Sequence, residues 1–595
     1  MDQIFSITTL PVNQLIDKID TGELGLPELQ RPFIWKDTKV RDLFDSMMRG
    51  YPIGYLMLWE CPTLEKKKLI GTNTHNYESP RQVIIDGQQR LTSLYAVIKG
   101  KKVVDSDFVE RQIVISYCPS QDKFEVGTNA TKKDPEWIYN ISDLFTGSSY
   151  SFIINFVRNL KEYREAKGGN LSNEEELVIA KNIESLERIG MQQLPIFDIK
   201  VMAEEEDVCE IFVRVNSGGI SLKQNDFILT LLSLYWDEGR KEIEKFSAES
   251  KVVPQQGVTT SYNQLTDVTA QDIIRVVMAY AFDRARLKYG YKLLRGSDFD
   301  KKGVVDESLR EERFETLKSK LPDVLNVHIW HEFIKAVMNA GYLSGDMILS
   351  GNAIFYSYAM YLIAKYRFEL SYNENMHITS LWFYYAALIS LYTGSFESVV
   401  EQHLNVIKGL KTKEEYKEFI IARVEERMTN DYFDITLCGT EGLAVSGRGN
   451  NAWNAYVAAL NVLNSKILFS KSNMLLSKLF EAGTDGNRKS LEKHHLFPKA
   501  YLQGKGYSDS LINQMANYAF IDWKDNMEIL DGAPATYYPI ICQGRSEDEI
   551  LAMERENALP HGWENMSYED FLFSRRKLMA QRIKEAYLQL RRNVD

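Results

Sequence analysis

Histidine and cysteine are scarce in this chain. Its 595 residues include eight His and five Cys. The cysteines, Cys61, Cys118, Cys209, Cys438 and Cys542, lie far apart, and none belongs to a C-x-x-C pair. That spacing argues against a disulfide framework and a zinc ribbon, and it fits a reducing, cytoplasmic compartment. Long hydrophobic runs are also missing. The most apolar stretches, 353–364 and 379–391, are short and punctuated by polar residues. They read as buried helices, and no membrane partner is expected. Residues 1–10 lack a charged segment followed by an apolar core, so no signal peptide is visible. Positive charge is not in excess either, since the formal net charge is −11. This excludes little, because nucleic-acid binding depends on local basic patches rather than the whole-chain sum.

What is present suits a large globular protein. Hydrophobic residues make up 44% and charged residues 26%, with 28 Phe, 32 Tyr and 9 Trp to fill cores. The length exceeds a single domain. The pattern predicts an α+β multidomain chain divided at 1–236, 237–434 and 435–595, the middle part mainly helical.

The N-terminal part carries three informative segments. Pro27-Glu28-Leu29-Gln30-Arg31-Pro32-Phe33-Ile34-Trp35 reads as extended or turn. A helix is predicted over 38–49, with Val40, Leu43, Phe44 and Met47 on one face and Gly50 as its stop. A strand over 55–59 follows. Next, a β-branched strand over 82–85 runs into Asp86-Gly87, and a helix over 88–99 begins. Its free N-terminal N–H groups and positive dipole end suit a phosphate. Asp86, Gln88, Gln89 and Arg90 place an acid, two amides and a guanidinium within five residues. The carboxylate can hold an ion or orient water, and the guanidinium can clamp a phosphate. The same residues also fit a plain capping box of the form D-x-x-Q, Asp86 with Gln89. The third segment, Phe212-Val213-Arg214-Val215-Asn216-Ser217-Gly218-Gly219, reads as a helix end and turn, or as an N–H nest with Arg214 and Asn216 near a phosphate. Ser221 and Gln224 then form a capping pattern before a helix over 225–236.

Together these segments resemble the DUF262 family, whose pieces are P-x-x-Q-R-x-x-x-W, D-G-Q-Q-R-L-T-S-L and F-x-R-V/L-N-x-G-G-x-x-L. They stand here as 27–35, 86–94 and 212–222. The resemblance implies a ParB/sulfiredoxin-like α/β domain that binds and hydrolyses a nucleoside triphosphate, GTP or ATP, with Mg²⁺. It implies that Asp86, Gly87, Gln88, Gln89 and Arg90 line the nucleotide site, Asp86 and Arg90 taking part in the chemistry, with Gln30, Arg31 and Asn216 nearby.

Beyond 240 the pattern turns helical. The aromatic residues over 354–392 read as core, and His328, His331, His377 and His403 share no motif. After a polar junction at 440–451, helices are predicted over 452–463 and 472–480. Then comes Leu491-Glu492-Lys493-His494-His495-Leu496-Phe497-Pro498-Lys499. It reads as a short strand ended by Pro498, followed by a helix over 508–515 and strands over 518–523 and 525–529. Adjacent strand residues point to opposite faces, so His494 and His495 cannot do the same job on a regular strand.

This stretch resembles the HNH (ββα-metal) nucleases of the DUF1524 type. Their pattern is D/H-H-x-x-P-k, then N-x-x-x-[IL], then a second Asn. Here it is His494-His495-Leu496-Phe497-Pro498-Lys499, then Asn517-Tyr518-Ala519-Phe520-Ile521, then Asn526. The resemblance implies His495 as general base, His494 and Asn526 as ligands of a divalent ion, Mg²⁺ or Mn²⁺, and Asn517 as the residue orienting the site. His494 stands where Asp is common, and Tyr518 where Leu is common. A long helix over 568–592 offers Arg575, Arg576 and Lys577 as DNA contacts besides Lys499.

The pairing of the two motifs is similar to the modification-dependent (type IV) restriction enzymes of the GmrSD kind, with both halves in one chain, and to the phosphorothioate-sensing Ssp defence nucleases. It implies an antiphage endonuclease that acts on modified phage DNA under nucleotide control, and a homo-oligomer is compatible with it. Two alternatives remain open at this stage. One is a nicking nuclease regulated by a nucleotide sensor without turnover. The other is a toxin-like nuclease acting on RNA or unmodified DNA.

Overall fold

A computed structural model describes residues 4–25, 33, 35–60, 82–104, 110–203, 208, 211, 215, 232, 236–286, 289–290, 293, 307–446, 450–471, 473–480, 493–521 and 532–594. The fold is mixed α+β, in two compact units, Met1–Arg240 and Lys241–Asp595. The helical middle and the C-terminal part, expected to divide near residue 435, therefore share one unit. Among the described residues no helix is long and apolar enough to cross a membrane.

The first unit is built on a five-stranded sheet. Its strands are β1 (Phe5–Pro11), β2 (Leu24–Gly25), β3 (Leu56–Trp59), β4 (Gln82–Asp86) and, after four short strands, Gln193–Ile199. Those four are β5 (Lys102–Val104) paired with β6 (Glu110–Gln112) and β7 (Ile115–Cys118) paired with β8 (Lys123–Val126), which makes Gln193–Ile199 β9. The sheet order is β1-β9-β3-β4-β2. β3 runs parallel to β9 and antiparallel to β4, with Met57 opposite Asp86. Every residue of β3 is buried, as are Val83 to Asp86 of β4. Strands covered on both faces need apolar side chains throughout, so they do not alternate. The edge strand β1 has an exposed middle.

Helices α1 (Val12–Asp20), α2 (Asp37–Met48) and α3 (Gln88–Ile98) supply the core against this sheet through Val12, Leu15, Ile16, Val40, Phe44, Leu91 and Leu94. The amphipathic stripe read for α2 is the buried set, and Gly50 follows it at φ +71°. In α3 every residue from Leu91 to Ile98 is buried, so no exposed face remains there.

Among the described residues the second unit is helical with one small hairpin. Helix α4 (Ala270–Phe282), α5 (Val327–Asn339), α6 (Gly351–Tyr366) and α7 (Tyr372–Leu388) form its middle. Helix α7 packs against α5 and α6, and also against α8 (Asn451–Val462) and α9 (Tyr568–Arg592). A helix enclosed on all sides cannot be amphipathic, and residues 353–364 of α6 and 378–386 of α7 are buried on every face. The buried polar groups of α7 bond to neighbouring backbone, as they must. Asn375 donates to Tyr361 O at 3.1 Å, Ser380 to Ala336 O at 2.9 Å and Tyr384 to Ile583 O at 3.1 Å.

The hairpin is β10 (Lys493–His495) with β11 (Tyr518–Phe520), pairing His494 with Ala519 and His495 with Tyr518. Between the strands lie short helices at Lys499–Gly504 and Asp509–Ile512 and a 3₁₀ turn at Met515–Asn517. The single helix expected over 508–515 is thus two short pieces. That expected over 472–480 is a 3₁₀ turn, Leu476–Phe480. The strand expected over 525–529 lies outside the described residues.

Candidate functional sites

In the first unit the junction of β4 and α3 carries the Asp-Gly-Gln-Gln-Arg run. Gly87 is the residue before the helix and takes φ +89°, a left-handed conformation that a side chain disfavours. A Cβ there would also fall 2.3 Å from Leu56 Cδ2. No side chain caps α3. The capping-box alternative fails because the αL turn moves the cap position one residue on, from Asp86 to Gly87. Asp86, 4% exposed, instead accepts the Gly87 N–H on Oδ1 at 2.7 Å. Gln89 Oε1 accepts the distant Trp35 N–H at 3.3 Å, and Gln88 Nε2 donates to Ile84 O at 3.0 Å.

Arg90 is held from two sides. Its Nη1 donates to Ile53 O at 2.7 Å, and its Nη2 lies 3.7 Å from Asp86 Oδ2. The close approach requires Gly54, at φ +93°, where a Cβ would stand 2.0 Å from Arg90 Nη1. Burial, and then the charge of the Asp86 carboxylate, push the phenol of Tyr55, the next residue, up to about 12. Sequence reasoning missed Gly54 and Tyr55, since neither carries a signal until the sheet sets them beside Asp86. Gln30, Arg31, Arg214 and Asn216 lie outside the described residues.

In the second unit the two histidines have different surroundings. The His495 Nε2 lies 3.1 Å from Asn513 Oδ1, which also accepts the Tyr518 hydroxyl at 3.0 Å. The His495 and Tyr518 rings are tilted against each other with centroids 4.5 Å apart. Because the amide oxygen only accepts, Nε2 carries the proton in this contact and Nδ1 is the basic nitrogen. Asn513 was not singled out from the sequence, and Tyr518, noted there only as a departure, supports the same oxygen. His494 has a sealed Nε2 with no hydrogen-bond partner. Burial, and then the neighbouring His495, push its pKa down to about 4, so the ring is neutral at pH 7.

Asn517 is fully buried. It accepts the Phe497 N–H at 2.8 Å and donates to Phe497 O at 3.1 Å and Ile512 O at 3.0 Å. Its own carbonyl accepts the Leu496 N–H at 2.8 Å. It clamps the turn after His495 to the approach of β11, and acts on the histidines only through backbone. Tyr537 adds a hydroxyl bond to Leu496 O, and Phe497 seats among Trp563, Tyr568 and Phe571.

The basic residues of α9 separate by burial. Arg575 is 0% exposed, with Nη1 donating to Ala516 O at 2.7 Å. Desolvation lowers its pKa, and it has no route to a DNA phosphate. The expectation of a DNA contact at Arg575 is corrected on that ground. A helical charge run gives no sign of which member faces inward. Arg576 is half-buried and bonds Leu572 O, while Lys577 is exposed and sits 4.3 Å over the Phe573 ring. Lys499 is exposed beside Asp509 at 3.4 Å.

A divalent ion needs converging donors. The neutral, unpartnered His494 nitrogen fits such a role. Asn526 lies outside the described residues, and among the described residues no group of three or more His, Cys, Asp or Glu could hold an ion.

Residues 12–233 match the family of the GmrSD restriction endonuclease N-terminal domain. The chain is also similar to an uncharacterized protein of Methanocaldococcus jannaschii, 20% identical over 601 aligned residues that cover 91% of this chain and 89% of that protein.

Proposed function

We propose that this chain is a restriction-type endonuclease that cuts modified phage DNA under the control of a nucleoside triphosphate. The N-terminal match to a restriction endonuclease domain supports the class. The observation that carries the nuclease assignment is the unlike pair at β10: a neutral, unpartnered His494 nitrogen beside a His495 oriented by Asn513. Hydrolysis of a phosphodiester calls for a base to take the proton of water and for relief of charge on the phosphate. His495 takes that proton at Nδ1, with Nε2–H held by Asn513. A divalent ion, when bound, would supply charge stabilisation at the phosphate, with His494 and Asn526 as its protein donors. Asn517 fixes the backbone beneath the pair. Lys499, Arg576 and Lys577 offer charge to the DNA backbone.

The Asp86–Arg90 junction is the triphosphate site in this scheme. It opens a helix with its N-terminal dipole end and sets a buried carboxylate 3.7 Å from a guanidinium. ATP or GTP turnover there restrains or licenses cutting, within an HNH nuclease controlled by a ParB-like domain. Replacing His495 by Ala tests the assignment. The variant should lose cleavage of modified phage DNA and keep phosphate release from ATP or GTP. Cleavage that persists at the wild-type rate removes His495 as the base.

A further inference from the structure

Helix α9 carries two lysines seated over phenylalanine rings, and the two pairs differ. Lys584 Nζ lies 5.8 Å from the centroid of Phe433, a ring that is 1% exposed. That pair is packing. Lys577 Nζ lies 4.3 Å from the centroid of Phe573, which is 58% exposed. A ring has two faces, and at that exposure the ammonium covers only one of them. An isolated phenyl ring on a surface needs no function. This ring comes with an ammonium that, among the described residues, is in no ion pair. Elsewhere on the helix Arg575 is buried on Ala516 O, Arg576 bonds Leu572 O, Arg582 pairs with Glu585 and Arg591 with Glu425.

The other side of α9 fixes this pair relative to the two histidines. Phe571 packs on Phe497, two residues after His495, with ring centroids 4.8 Å apart. Tyr568 donates to Leu511 O at 2.9 Å and Arg575 to Ala516 O at 2.7 Å. Those contacts join the helix to the hairpin and to the loop between its strands. Phe573 is two residues past Phe571, about 200° round the helix. It stands off the packed side, so a group bound there sits along a DNA strand from the histidines rather than at the cut bond.

A nucleotide offers what this pair lacks. Its base has a flat face for the ring and its phosphate an anion for the ammonium, both on one unit. A base inside a duplex is stacked on both sides and cannot present its face, so an unpaired or displaced base is what fits. We propose that Phe573 and Lys577 form a stacking site for an unpaired base of the DNA, which selects single-stranded or locally opened DNA as the substrate. This rests on the proposed nuclease reading.

The test uses the full chain in EDTA, which stops cutting, and fluorescein-labelled DNA of one sequence in three forms: duplex, duplex with a short gap, and single strand. Anisotropy gives each Kd. Phe573→Ala should weaken binding of gapped and single-stranded DNA about tenfold, the size of one base–aromatic stack, and leave duplex binding within about twofold. Phe573→Leu keeps apolar bulk without a π face and should bind like the alanine variant, whereas Phe573→Trp should match or exceed wild type. A single strand carrying 5-iodouracil should cross-link to Phe573 on irradiation. Equal binding of gapped DNA by wild type, Phe573→Ala and Phe573→Leu overturns the stacking site, and the nuclease reading survives that result if wild type still cuts once Mg²⁺ or Mn²⁺ is added. Binding that depends on Phe573, in a protein that cuts nothing with either ion, overturns the nuclease reading and leaves the stacking site standing. Single-stranded RNA bound more tightly than DNA, with the same dependence on Phe573, overturns DNA as the occupant. Should Phe573→Ala melt early, the leucine and tryptophan variants decide.

Discussion

The His495 Nε2 stands 3.1 Å from Asn513 Oδ1, and an amide oxygen at that position puts the ring proton on Nε2. Without it, the imidazole is free to turn over and to carry its proton on either nitrogen. Tyr518, directly across the hairpin, holds the same oxygen and covers the ring.

Asn513→Ala should therefore reduce DNA cleavage by about 10–100-fold while the protein stays folded, the usual cost of losing a residue that orients a reactive histidine. Asn513→Asp keeps an acceptor and should retain more activity than the alanine variant. Plasmid nicking rates, with circular dichroism as the control for folding, measure both. Equal rates in wild type and Asn513→Ala would remove Asn513 from the site.

Asn517 should matter for stability before activity. Its side chain satisfies Phe497 N, Phe497 O and Ile512 O in a fully buried position. Asn517→Ala strands all three, and a loss of about 3 kcal/mol is expected. Urea unfolding gives the number, and a loss below about 1 kcal/mol would show that water replaces the amide.

Arg575 and Lys577 are two residues apart and should behave oppositely. Arg575→Ala removes a buried strut from Ala516 O and leaves a cavity, so the melting temperature should drop sharply. Lys577→Ala should change stability by no more than about 0.5 kcal/mol. It should weaken DNA binding and reduce the slope of log affinity against log salt by about one. Melting curves and salt titrations of each variant separate the two roles.

His403 lies edge-on to Trp382 and Phe419, at 5.6 and 5.9 Å. Burial, and then Arg423, push its pKa down to about 4. The unfolded chain takes up a proton near pH 6.5 that the folded chain refuses until about pH 4. The stability is therefore complete above pH 6.5 and is lost as pH falls from 6.5 towards 4, by about 2 kcal/mol. His403→Phe has no such proton, so the stability difference between variant and wild type should grow by that amount from pH 7 to pH 4.5. A difference that stays constant with pH would mean that His403 titrates normally.

Local pattern was enough for several elements. Helix α2 follows from the spacing of Val40, Leu43, Phe44 and Met47, and α9 from its charged and apolar sides over 568–592. In these cases neighbours in sequence are neighbours on one face, so period alone gives the answer. The apolar runs 353–364 and 379–391 were legible as buried helices by composition rather than by period, because α6 and most of α7, like α3 from Leu91 on, are buried on every side and leave no face to detect. Pattern failed for Arg575, whose place in a charged run hid its burial.

The sequence by itself determined the residues on which the proposed chemistry rests: the Asp-Gly step before α3 and the adjacent His494 and His495. Those are choices of functional group, and functional groups are written residue by residue. Only the tertiary structure decided their partners. The αL turn at Gly87 turned Asp86 from a cap into a held carboxylate, and the sheet brought Tyr55 to it. The hairpin register set Tyr518 against His495, and the loop between the strands returned Asn513 to the same ring. Orientation and desolvation come from atoms distant in the chain, and no local spacing encodes which of those atoms will arrive.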